Sequence, residues 1–153
     1  MKTTRIQRIC LFLVLSVCFF AFGTTGAQPA SASGKSVPLK GHFQGIGADF
    51  SGNLTHLGRF DGVIDNTSQP PTAVWTAANG DTVTNQTVSF EIDFTSPIEP
   101  DVYLYTQEIE ITGGTGRFEG VTGHASVTGT FNVATFEYDG RMRGRISKVN
   151  AGS

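Results

Sequence analysis

Past residue 32 the chain contains no cysteine, because Cys10 and Cys18 both fall in an apolar N-terminal run. The folded part therefore has no disulfide, no cysteine metal site and no cysteine nucleophile. Its three histidines, His42, His56 and His124, are too scattered to form a zinc-binding pair, so no metal is expected. The serine elbow Gly-x-Ser-x-Gly is missing too, which removes the easily recognised hydrolases. No stretch after Ser33 keeps a 3.6-residue apolar period, so no amphipathic helix is expected either.

Basic residues are scarce once the N-terminus is set aside. Lys2, Arg5 and Arg8 precede the apolar run Ile9–Phe22, and small residues follow it. That order predicts a secretory signal peptide cleaved after Ala27 or Ala32. The run falls short of the roughly 20 residues that a bilayer span needs. Without those three charges the eleven basic residues become eight against thirteen acidic, a net charge of −5. Nucleic acid and anionic membrane surfaces are thereby disfavoured as partners. The expected organisation is signal peptide over 1–32, linker over 33–38, one domain over 39–148 and a tail over 149–153, secreted or periplasmic.

What is present is alternation. Val88, Phe90, Ile92 and Phe94 share one face of a segment, and Ser89, Glu91 and Asp93 share the other. Tyr103, Tyr105, Ile109 and Ile111 oppose Glu108 and Glu110. Ala125, Val127, Phe131 and Val133 alternate with polar residues. Phe136, Tyr138, Met142 and Ile146 are set against Arg141, Arg143 and Arg145. Period two is the mark of half-buried strands. Asn79-Gly80-Asp81 is a hairpin turn, and the prolines at 70–71 and 97–100 mark connections. Two glycine-punctuated strands, Leu39–Phe50 and Leu54–Ile64, precede them. The count is seven strands, or eight if a long one bends. Glycines inside strands permit the coiling of a small closed antiparallel β-barrel.

The stretch ITGGTGRFEGVTG, Ile111–Gly123, has two readings. A dinucleotide fingerprint would place a glycine where Glu119 stands and would open a helix. Strand-like residues follow instead. The loop therefore reads as a tight reversal shaped by Gly113, Gly114, Gly116 and Gly123, with Phe118 and Val121 plugging one barrel end. No cofactor is expected. This loop, with His56-Leu57-Gly58-Arg59-Phe60 and Ala77-Ala78-Asn79-Gly80-Asp81, resembles the bacterial secreted relatives of the allene oxide cyclase and dirigent protein barrels. The resemblance implies an eight-stranded antiparallel barrel with a cavity, and a homotrimer as in plant members. No catalytic residue of either group falls on a matching motif.

Candidate ligand-binding residues follow from strand parity. His56 shares a face with Leu54, Phe60 and Ile64, unless Leu57 and Val63 mark the inner side. Asp49 falls with Phe43, Gly45 and Gly47, although Ile46, Ala48 and Phe50 argue for the reverse. Trp75, Tyr103 and Tyr105 supply aromatic surface for a core or a pocket. The arginine row is expected to pair with Glu108 and Glu110, or with other acids on an adjacent strand. The leading functional expectation is a non-catalytic binding or structural module for a small apolar ligand. A cyclase-type isomerase, or a guiding protein like the dirigents, is the alternative.

Overall fold

The computed structural model describes residues 35–147 and Val149; the expected signal peptide and most of the tail lie outside them. Eight antiparallel strands close into one barrel in chain order. They are β1 (Val37–Ile46), β2 (Asp49–Leu54), β3 (Gly58–Asp65), β4 (Thr72–Ala77), β5 (Thr82–Asp93), β6 (Val102–Gly114), β7 (Gly123–Asn132) and β8 (Glu137–Ile146). Closure is made by β1 against β8, in register from Val37 opposite Ile146 to Ile46 opposite Glu137. A closed wall leaves no strand edge unpaired.

Alternation places the core as expected in the second half of the chain. Tyr105, Ile109, Ile111, Ala125, Val127, Met142 and Ile146 are buried, while Glu108 and the three arginines point outward. The first half differs. The expected strand Leu39–Phe50 is cut by a turn at Gly47, where φ is +61°, and the expected strand Leu54–Ile64 is cut at residues 55–57. Neither turn carries proline or Asn-Gly, which is why the pattern runs through both unmarked. On β5 the alternation also slips. A β-bulge between Thr87 and Ser89 leaves Val88 out of register, and Val88 is 63% exposed and does not join the inner face. Phe94 is likewise exposed beyond the strand.

The two ends of the barrel differ. At one end lie the β2–β3, β4–β5 and β6–β7 connections, and there Phe118 and Val121 are each 1% exposed. Only three residues, Gly116–Phe118, take a 3₁₀ turn before β7 begins. The glycine loop is thus a plug and not the start of an α-helix. At the other end the β1–β2, β3–β4, β5–β6 and β7–β8 connections surround an opening.

The plug is latched to the Asn79-Gly80-Asp81 hairpin. Arg117 Nε donates to Asp81 Oδ2 at 2.8 Å, and Asn79 Nδ2 donates to the same oxygen at 2.8 Å. Thr82 N donates to Thr115 Oγ1 at 3.0 Å. Gly116 has φ +58° and lies where any Cβ would strike the Asp81 carboxylate, so the two motifs depend on each other. Arg117 first, and Asn79 second, hold the Asp81 carboxyl below its usual value of 3.8. A depressed folded value means that this stabilisation is present above the ordinary aspartate pKa and is lost as pH falls through the folded one. Asp81→Asn is therefore expected to melt several degrees below the parent protein at neutral pH. As pH falls below the ordinary aspartate value the two melting temperatures should converge. Thermal scans by circular dichroism across that pH range check this.

Candidate functional site

Between the plug and the opening lies a cavity of about 440 Å³. Its wall is built by rings seated over glycines. Phe50 lies flat on Gly62, at a position where a Cβ would overlap its ring. At Gly140 a Cβ would come within 2.6 Å of both Phe43 Cζ and the Tyr105 hydroxyl. Strand glycines thus make room for aromatic side chains from neighbouring strands, beyond permitting the wall to coil.

The rings form a continuous girdle. Trp75, Phe60, Phe50 and Phe43 follow one another at centroid spacings of 5.8, 5.8 and 5.6 Å. Tyr138, Phe131, Phe90 and Tyr105 continue it at 6.3, 6.4, 6.3 and 5.5 Å. Several of these contacts are edge-to-face, the arrangement that ring quadrupoles favour. Ile109, Val127 and Met142 fill the intervals, and Phe136, with φ +61°, stands at the opening.

A polar strip interrupts this surface on β5 and β6. Asn85 is 4% exposed and donates from Nδ2 to the Ala73 carbonyl at 3.2 Å. Gln107 donates from Nε2 to Thr87 Oγ1 at 3.0 Å. Both residues line the cavity. Asn85 also heads a sequon, Asn85-Gln86-Thr87, whose side chain is buried in the folded barrel and cannot carry a glycan. Parity alone could have placed Asn85 inside, two residues from Val83 and Thr87.

Among the described residues lining the cavity, none is acidic, basic or a histidine. Its titratable groups are two phenols. Burial, then the charge of Asp139 and the neighbouring Tyr138, pushes the Tyr105 hydroxyl well above the ordinary tyrosine range. Burial, then Asp49, pushes Tyr138 up to about 12. Both are protonated at any physiological pH. The Tyr138 hydroxyl is buried and has no hydrogen-bond partner among the described residues.

The residues read from the sequence separate here. Trp75 and Tyr105, 2% and 4% exposed, line the cavity together. Tyr103 is half-buried and packs on Phe94 at 5.1 Å, outside the lining. His56 does not share the inner face: it sits in the β2–β3 turn with φ +69°, exposed, while Leu57 turns inward. Asp49 opens β2 facing outward, with Phe50 inward. The two polar candidates therefore do not meet in the interior. Nor does the arginine row pair with Glu108 and Glu110, since β7 lies between them. Glu108 accepts from Ser126 and Glu110 from Gln86. Arg141 and Arg143 lie beside His42 and Lys40 of β1.

Neither a family model, a curated protein nor a solved structure matches the chain.

Proposed function

We propose that this protein is a secreted, non-catalytic barrel that binds a small apolar ligand. The observation that carries this reading is the cavity itself: about 440 Å³ of aromatic-lined space, plugged at one end and open at the other. That volume falls within the roughly 300–1,000 Å³ of small-molecule sites. The described lining residues supply hydrogen-bond partners but no ionised group, so the interior suits holding a molecule more than transforming one. A cyclase would draw support from a base and an acid converging in the cavity. His56 and Asp49 lie outside it, and the phenols of Tyr105 and Tyr138 stay protonated.

The uncharged dye N-phenyl-1-naphthylamine is expected to brighten on saturable binding to the protein. Ala73→Trp, which places a large side chain in the cavity wall beside Asn85, should abolish that signal while far-ultraviolet circular dichroism is unchanged. A fluorescence titration of both proteins is the check. A linear, non-saturating response of the parent protein would count against the proposal.

A further inference from the structure

We infer that the ligand is an organic cation, with an apolar body inside the aromatic girdle and its ammonium group near the opening. This inference rests on the cavity-binding reading and adds the charge of the occupant.

The charges of the barrel are sorted along its axis. At the opening, β2 starts with Asp49, β3 ends with Asp65, β5 ends with Asp93 and β8 starts with Glu137. The β5–β6 loop adds Glu99 and Asp101. The described lysines and arginines lie elsewhere. Arg141 is at mid-barrel, and Lys35, Lys40, Arg59, Arg117, Arg143 and Arg145 are toward the plugged end. Hydrogen bonds from Thr67 and Thr95 hold Asp65 and Asp93 below the usual carboxylate range, so they remain ionised. A molecule approaching the open end of the cavity meets a negative field, which draws cations in and turns anions away.

Two independent features inside the cavity agree. The girdle presents ring surfaces, whose quadrupoles attract a cation placed over them. Near the opening, a buried polar atom waits for a donor. Tyr138, the second residue of β8, lines the cavity, and its hydroxyl is buried with no hydrogen-bond partner among the described residues. An ammonium N–H would satisfy that oxygen, since ammonium groups donate and never accept. An anion would lose its water at a site without counter-charge and beside carboxylates. A neutral ligand would use the girdle but gain nothing from the field.

The test is isothermal titration calorimetry with three naphthalenes of matched size: 2-naphthylmethylammonium, 2-naphthylmethanol and 2-naphthoate. The cation should bind about ten-fold more tightly than the alcohol, and naphthoate more weakly than either. Raising salt from about 20 mM to about 0.5 M should shrink the advantage of the cation. Asp49→Asn combined with Glu137→Gln should narrow the gap between cation and alcohol. Equal affinities for cation and alcohol, or tightest binding of naphthoate, overturn the charge assignment and leave the apolar cavity standing. Absence of binding by all three overturns both.

Discussion

Phe118→Ala is expected to cost about 3–5 kcal/mol of unfolding free energy, the range for a phenylalanine removed from a packed core. Phe118 is 1% exposed at the end of the glycine loop and packs where Val121 and Ile111, also 1% exposed, close the barrel. Its backbone is fixed from both sides: Phe118 N donates to the Thr115 carbonyl, and Val121 N donates to the Phe118 carbonyl. With that backbone held in place, the loop can collapse little to fill the space left by the ring. Truncation would also join the cavity to solvent at the plugged end. Urea denaturation should show a lower midpoint at an unchanged slope. A loss below about 1 kcal/mol would mean that the loop covers the barrel end without plugging it.

Gly62→Ala is the second large effect. The added methyl falls inside the Phe50 ring, which must move toward the cavity. Overpacking of this kind costs about 1–3 kcal/mol, and the displaced ring removes volume from the site. Stability and N-phenyl-1-naphthylamine affinity should therefore fall together. Gly58→Ala separates strain from filling. Gly58 has φ +74° but open space around it and lies outside the cavity lining, so alanine there should cost about 1 kcal/mol through backbone strain alone. Its dye affinity should match that of the parent protein. If Gly62→Ala binds dye as well as Gly58→Ala does, the ring does not border the ligand.

The legible parts of this fold were those where side-chain period and turn chemistry agree. On β6, β7 and β8 the alternation is unbroken, and the turns before β6 and β7 carry proline or glycine, so most of the inner face could be read from the period. On β1 to β3 the turns are made by Gly47-Ala48 and by Thr55-His56-Leu57. A histidine at positive φ has no sequence signature, and one missed turn moved His56 to the wrong side. The bulge at Val88 is similar, because alternation continues through it while the pairing shifts. Trp75 and Tyr105 were found because each lies on a regular strand. The girdle was not, since Phe50 over Gly62 and Phe43 over Gly140 are relations between strands. They depend on register, which period alone does not specify. Asn85 was visible in the alternation of β5, but its value emerged only with its burial. The sorting of charge toward the two ends required the strand order as well.

The charge sorting and the girdle both presuppose a barrel that is hollow and dry between the plug and the opening. Diffraction from crystals held under xenon pressure tests that directly, because xenon enters apolar cavities and ordered water prefers polar ones. The account predicts a xenon atom in the space bordered by Trp75, Ile109 and Phe131. Side chains filling that space, or a chain of ordered waters with no xenon, would contradict it.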